Sequence, residues 1–224
     1  MKVLDSKMDI IEAIKVVQGF ASSSLKNRIA KLEFALSSQK LDEIVTHLNS
    51  EYIDASIVKA AFEIKRVAAQ INVIIHAVGI LVSLPHILEN GEIVESLSLG
   101  AGNTGRGFDL KTNLRVAEFK FIEWQGGSES IRQNSLFYDF FSLAEHDSPR
   151  KRCLYLLGTD EGLKFLQGNR SLESVLSKNK KIRDQFYTYY PNQFLVVSDY
   201  YKAKKSAVEI LDLKNLIPSI WGAY

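Results

Sequence analysis

One cysteine, Cys153, stands among 224 residues. A lone thiol excludes an internal disulfide framework and a cysteine-based zinc site, and it suits a reducing cytoplasm. Net charge is slight as well, since 28 Lys and Arg against 26 Asp and Glu leave a formal +2. Bulk charge therefore carries no argument for a nucleic-acid partner, and local clusters must carry it instead. The four histidines, His47, His76, His86 and His146, stand at no metal-ligand spacing to one another. No serine lies in a nucleophile-elbow motif. The opening Met1-Lys-Val-Leu-Asp-Ser-Lys lacks the basic-then-apolar pattern of a signal peptide. The most apolar run, Ile71 to Leu84, contains Asn72 and His76 and is short for a bilayer span. The expectation is a soluble, cytoplasmic protein without internal repeats or low-complexity tracts.

Apolar residues make up 46% of the chain, enough for a sizeable core. The first part reads as helical. Apolar spacing predicts helices over Met8–Phe20, Leu25–Leu36 and Leu41–Leu48. A longer helix begins at Asp54 or Ser56 and runs to about Ser83, before Pro85. It carries two polar stripes, Lys59, Glu63, Arg66 and Gln70 on one face and Lys65, Asn72 and His76 on another. A helix buried on one side needs only one such stripe. The second faces either a wet edge or a site, and for His76 the simpler reading is a satisfied core histidine.

From Asn90 the pattern changes to strands and turns. Strands are expected at Glu92–Leu99, Phe108–Leu110, Arg115–Trp124, Cys153–Leu157 and Gln193–Ser198, with Lys111-Thr-Asn as a turn and a helix over Glu129–Glu145. The tail segments Val208–Leu213 and Ile217–Trp221 are expected to pack back on the core. The order predicts an α/β fold, a mixed sheet flanked by helices. Residues 1–88 form a helical N-terminal region and 89–224 the α/β core, with the long helix over 54–83 belonging to the core.

Asp109, Glu118 and Lys120 are the most telling side chains. An acid, a turn, then acid-x-Lys lie inside the apolar stretch Gly107 to Phe121. Charged groups rarely sit in a hydrophobic run unless paired or bound to something. On a strand, Val116, Glu118, Lys120 and Ile122 point one way and Ala117, Phe119, Phe121 and Glu123 the other. A hairpin would bring the Asp109 carboxylate near Glu118, and the backbone carbonyl of Phe119 would add an oxygen. Hard oxygens in this number suit Mg2+ (or Mn2+) with water and phosphate completing the shell. The plainer reading is a polar face on an edge strand, with Asp109 serving its turn.

With Asp109, Glu118-Phe-Lys120 and the order helix, three strands, helix, strand, the stretch from about Glu63 to Leu157 resembles the PD-(D/E)XK nuclease superfamily, the restriction-endonuclease-like fold. Phe108 stands where the name-giving proline would be. The resemblance implies metal-dependent hydrolysis of phosphodiester bonds in DNA, with RNA as the other candidate substrate. It implies that Asp109 and Glu118 bind the ion and that Lys120 assists the attacking water. Gln133, followed by Phe137 and Tyr138, is a partial match to a Gln-x-x-x-Tyr pair of some members. Glu63 is the candidate for the acid that some members carry on the preceding helix. Cleavage of both strands by such single centres implies a homodimer.

Gly100-Ala-Gly-Asn-Thr-Gly is a literal G-x-G-x-x-G after an expected strand. A dinucleotide site needs a helix to open directly afterwards, and Arg106 to Leu114 offers none. Asn103, Thr104 and Arg106 are candidates for substrate phosphate contacts, as is Arg132 at the start of the next helix. Basic clusters occur at Arg150-Lys-Arg, Lys178 to Arg183 and Lys202-Ala-Lys-Lys, the last two interleaved with Phe186, Tyr187, Tyr189, Tyr190, Tyr200 and Tyr201. Phosphate attraction and base stacking favour a polynucleotide, while any one cluster alone reads as solvated surface. Two other functions stay open: a non-catalytic module of the same fold, and a nucleotide-binding protein using the Gly100–Gly105 loop.

Overall fold

Side-chain caps set the helix starts. Asp9 accepts from the amides of Ile11 and Glu12 at 3.0 and 3.4 Å and opens α1 (Ile10–Ala21). The Ser24 hydroxyl accepts from Asn27 at 3.4 Å ahead of α2 (Leu25–Leu36), and the Glu43 carboxylate accepts from the Lys40 amide at 2.9 Å ahead of α3 (Leu41–Ser50). Asp54 accepts from the Ser56 amide at 2.7 Å and opens α4 (Ala55–Ile87). These contacts satisfy amides that no intrahelical carbonyl reaches. The protein is described by a computed structural model covering residues 8–100, 107–122, 124 and 129–222.

α4 runs past Pro85 to Ile87, further than the expected end at Ser83. A proline so close to the end disturbs only the final turn. By length and composition α4 is able to cross a membrane, with a window of mean hydropathy 2.0. The chain divides within this helix, into a unit ending at Asn72 and one beginning at Val73. In the first unit Ala13 and Ala60 are buried, Arg28 pairs with Glu51 at 2.7 Å, and Phe34, Leu41, Tyr52 and Phe62 are largely exposed.

The second unit is a mixed α/β domain. Its sheet comprises β1 (Val94–Leu97), β2 (Leu110–Thr112), β3 (Arg115–Lys120), β4 (Lys151–Leu156) and β5 (Glu209–Asp212), lying side by side in chain order. β1–β2 and β2–β3 are antiparallel, whereas β3–β4 and β4–β5 are parallel. A parallel pair needs a crossover connection. α5 (Ser130–Ala144) supplies the first. The second contains α6 (Asp160–Leu166), α7 (Leu172–Leu176), α8 (Lys180–Tyr189) and α9 (Val197–Lys204). α10 (Leu213–Leu216) and α11 (Pro218–Trp221) follow β5.

Several strand assignments change. Gln193–Ser198 is not a sheet strand, because its backbone bonds to another segment: the Leu172 amide donates to Leu195 O at 3.0 Å and the Val197 amide to Arg170 O at 2.9 Å. Val197 instead starts α9. The fifth strand is Glu209–Asp212, inside the tail expected only to pack on the core. Lys111 and Thr112 belong to β2 rather than to a turn. The turn is Asn113-Leu114, held by the Thr112 hydroxyl, which accepts from the Leu114 and Arg115 amides at 3.0 and 2.9 Å. β3 ends at Lys120 rather than Trp124.

Alternation along β3 and β4 divides the core in two. Val116, Leu154 and Leu156 pack with Leu136, Phe137 and Phe140 of α5. Ala117, Phe119, Cys153 and Tyr155 pack on the other face with Ile80 and Ile87 of α4 and Leu213 of α10. Cys153 is a buried small hydrophobe, as expected. On the α5 side Glu145 accepts from the Tyr190 and Tyr200 hydroxyls at 2.8 and 2.7 Å and pairs with Lys204 at 3.0 Å. At the far end of β4 the Asp212 carboxylate accepts from the amides of Gly158, Thr159 and Lys214 at 3.1, 3.2 and 2.8 Å, joining the ends of β4 and β5.

Candidate functional site

The hairpin β2–β3 builds the site. Leu110 faces Ala117 and Lys111 faces Val116, so continuing the register sets Asp109 across from Glu118. Asp109 Oδ2 accepts from the Phe119 amide at 2.9 Å, which fixes the carboxylate at the strand. Its other oxygen lies 3.2 Å from His76 Nε2 on α4. The Asp109 and Glu118 carboxyl groups are near enough to act on each other's charge. Lys120, two residues beyond Glu118 on the same face, ion-pairs with Asp139 of α5 at 2.5 Å. The three predicted residues therefore do converge, and two unforeseen side chains join them. His76, read from the sequence most simply as a satisfied core histidine, finds its partner in Asp109. Asp139 was not singled out from the sequence, although a carboxylate within Phe137-Tyr-Asp-Phe-Phe141 poses the same question as Glu118 in its strand.

Burial sets the electrostatics. Glu118 is pushed up to about 10, first by burial and then by the charges of Asp139 and Asp109, against the pull of Lys120. It is a neutral acid at pH 7, suited to sharing its proton with Asp109. Burial alone would raise Asp109 too, but His76, the Phe119 amide and Glu118 outweigh it and hold that carboxylate below its ordinary range. Asp139 is raised by burial despite its ammonium partner. Burial would lower Lys120, yet Asp139, Glu118 and Asp109 together raise it, so the ammonium stays charged. The cluster is not sealed, since the side chains of Lys120, Asp139, His76 and Asp109 keep 22, 18, 19 and 13% of their surface. A shallow recess beside Lys120 is lined by Ile122, Trp124, Arg132, Leu136, Leu156 and Gly158.

Other candidates are engaged elsewhere. Arg132 pairs with Glu129 at 2.6 Å. Gln133 accepts from Arg170, not from a tyrosine; Phe137 is core, and the Tyr138 hydroxyl donates to Val175 O at 2.7 Å. Glu63 lies in the N-terminal unit and pairs with Arg66 at 2.8 Å. At Phe119 the amide N–H donates to Asp109. Asn103, Thr104 and Arg106, like the rest of the glycine motif from Ala101 to Gly105, lie outside the described residues. Residues 107–114 contain β2 and no helix, so the anion-binding helix start of a dinucleotide site is missing there.

The cluster Arg150-Lys-Arg is tied to the fold, whereas Lys178, Lys180, Lys181, Lys202 and Lys205 are exposed. Arg150 forms a two-pronged pair with Glu95 at 2.8 and 2.9 Å, Lys151 pairs with Glu89 at 2.6 Å, and Arg152 donates to Ala144 O at 3.0 Å. Phe186 and Tyr200 are core, leaving Tyr187 and Tyr189 as the exposed rings of α8. Among the described residues no group of three or more His, Cys, Asp or Glu side chains is arranged to hold a metal ion. No family model matches the chain, and no curated protein or solved structure matches it.

Proposed function

We propose that this chain is a metal-dependent nuclease of the restriction-endonuclease-like type, hydrolysing phosphodiester bonds in DNA in the cytoplasm. One observation carries the reading: Asp109, Glu118 and Lys120 meet at one end of the β2–β3 hairpin, where three carboxyl groups surround one ammonium. A cluster with that excess of acids, one of them kept neutral by burial and by its acidic neighbours, has the donor chemistry for a hard cation. Asp109 and Glu118 would hold Mg2+ or Mn2+, with the Phe119 carbonyl as a further oxygen and His76 beside them. When bound, the ion supplies Lewis acidity, lowering the pKa of water and neutralising charge on the phosphate.

The chain's own residues do the rest. The Phe119 amide and His76 orient the Asp109 carboxylate from two sides. Lys120, kept charged by its carboxylate neighbours, holds a cation where negative charge builds on the phosphate or on the attacking water. Arg132 offers a guanidinium beside the same recess. The test is cleavage of plasmid DNA, single-stranded DNA and RNA with Mg2+, Mn2+ or EDTA. Asp109→Ala and Glu118→Ala should each abolish metal-dependent cleavage while retaining the wild-type circular dichroism spectrum. Full activity in either variant refutes the assignment.

The pairing of Lys120 with Asp139 and of His76 with Asp109 inside the cluster suits a second reading, a non-catalytic module of the same fold. DNA binding by fluorescence anisotropy, with no turnover in either metal, would select it.

A further inference from the structure

Cations crowd the start of α8, at Lys178, Lys180, Lys181 and Arg183. Lys178 and Lys181 have no carboxylate partner among the described residues. Lys180 pairs with Asp184 at 3.3 Å, and the Arg183 guanidinium reaches the same Asp184 at 3.4 Å. These are exposed contacts within one helix, worth little against an incoming anion. At 3.6 residues per turn, Lys180, Arg183 and Tyr187 share one face of α8. Phe186 is turned into the core instead.

Arg183 and Tyr187 line a cleft of about 600 Å3, bounded by α7, α8 and the segment 192–196. Ligand clefts commonly span roughly 300–1,000 Å3. The Tyr187 ring is 37% exposed there, and Leu195 of the facing segment 75%. That segment is held in place by its backbone, since the Leu172 amide donates to Leu195 O at 3.0 Å and the Val197 amide to Arg170 O at 2.9 Å. Asn192 and Glu173 add polar groups to the lining.

We propose that this cleft binds single-stranded polynucleotide, Arg183 taking a phosphate and Tyr187 stacking on a base. Guanidinium matches phosphate oxygens in a two-pronged way, and an open aromatic ring accepts the face of an unpaired base. Lys178 and Lys180 extend the positive rim along which a backbone tracks. An acidic peptide fits less well, because Glu173 repels its carboxylates and the Tyr187 ring has nothing to stack on. Glu173 and Asn192 are instead residue types that hydrogen-bond base edges. A duplex fits less well, because its base faces are already stacked on one another. The cleft lies in the same unit as the Asp109 cluster. α5 joins the two, Asp139 pairing with Lys120 while its neighbour Tyr138 donates to Val175 O of α7 at 2.7 Å. The choice of polynucleotide rests on the nuclease reading, whereas the binding itself needs no cation.

The test is fluorescence anisotropy of a labelled oligodeoxycytidylate with the full-length chain in EDTA. Tyr187→Ala and Arg183→Ala should each weaken binding roughly tenfold, and Arg183→Ala should lower the salt slope by about one. Tyr187→Phe, which keeps the stacking face, should bind as the wild type does. Lys164→Ala, exposed on α6 and outside the cleft, should also leave affinity unchanged. An iodocytosine-bearing oligonucleotide irradiated with the wild-type chain should cross-link at Tyr187, a readout that depends on no variant. A wild type that does not bind overturns the proposal, as do alanine variants of undiminished affinity or cross-links confined to other segments. A duplex of the same sequence bound as tightly overturns it too, as does displacement by poly-L-glutamate at equal charge. Binding as expected without cleavage in Mg2+ or Mn2+ keeps the cleft and removes the nuclease; metal-dependent cleavage without this binding does the reverse.

Discussion

Lys120 Nζ lies 2.5 Å from Asp139 Oδ2, joining the end of β3 to the middle of α5 beneath the candidate site. Both side chains are mostly buried, so the pair is not interchangeable with a surface ion pair. Asp139→Asn keeps the shape and removes the charge, leaving a buried ammonium without its nearest counterion. The expected loss is about 3 kcal/mol in urea unfolding. Adding Lys120→Met should recover much of it, giving a coupling term in the double-mutant cycle. Because the Asp139 charge also raises Glu118, the same substitution should lower the Glu118 pKa, as read by carboxyl 13C shifts. Wild-type unfolding and an unchanged Glu118 titration would dismiss the linkage.

Acid should weaken the fold through Glu92. Its side chain is fully covered and accepts from Arg115 Nε at 2.7 Å, from the Thr112 hydroxyl at 2.6 Å and from the Glu89 amide at 2.9 Å. Burial alone would raise this carboxyl; Arg115, Glu89 and Thr112 outweigh it and hold the group down at about 2, from 4.5. A depressed carboxylate stabilises the fold above its unfolded pKa, and that contribution fades as pH falls from about 4.5 to 2. The shift corresponds to roughly 3 kcal/mol. Glu92→Gln should be less stable at pH 7 and should show a shallower decline across this window, measured by denaturation at each pH. Parallel profiles for the two proteins would rule the linkage out.

Gly79→Ala sets two effects of opposite sign against each other. Inside a helix the change ordinarily stabilises by about 1 kcal/mol. Here the new methyl would meet three Phe121 ring atoms at 2.8 to 2.9 Å. Phe121 cannot swing freely, because it stacks on Phe119 at 5.8 Å and packs on Trp221 at 5.3 Å. Overpacking of this kind costs about 1–3 kcal/mol, so the net expectation is a loss of about 1 kcal/mol. Phe121 also meets His76 edge-on at 6.3 Å. The substitution should therefore perturb the His76 ring resonances by NMR, and a stabilised variant with unmoved His76 would show that the ring yields.

Much of the site was legible because strands impose a strict alternation. Glu118 and Lys120 share a face while Phe119 and Phe121 take the other, as the spacing required, and the Thr112–Arg115 turn brings Asp109 across from Glu118. Asp139 escaped because a helix spreads its faces over 3.6 residues, and its partner Lys120 lies in another element. His76 was visible only as part of a second polar stripe, which does not reveal whether solvent or a carboxylate faces it. The run Gln193 to Ser198 misled because consecutive apolar residues describe an isolated bridge, here Val196 to Ser171, as well as a strand. β5 was missed as a strand because Glu209 and Asp212 frame just two apolar residues, Ile210 and Leu211, too few for alternation to register.

The parallel pairing of β4 with β5 has a consequence for synthesis. Four helices separate the two strands along the chain, so β4 keeps an unpaired edge on the ribosome until the residues around Asp212 emerge. Until then Leu154 and Tyr155, buried in the finished protein, lie on a strand open to strangers, the kind of nascent edge that invites aggregation. The Asp212 carboxylate, which reaches back to Gly158 and Thr159, acts as the late clasp that ends this vulnerable interval.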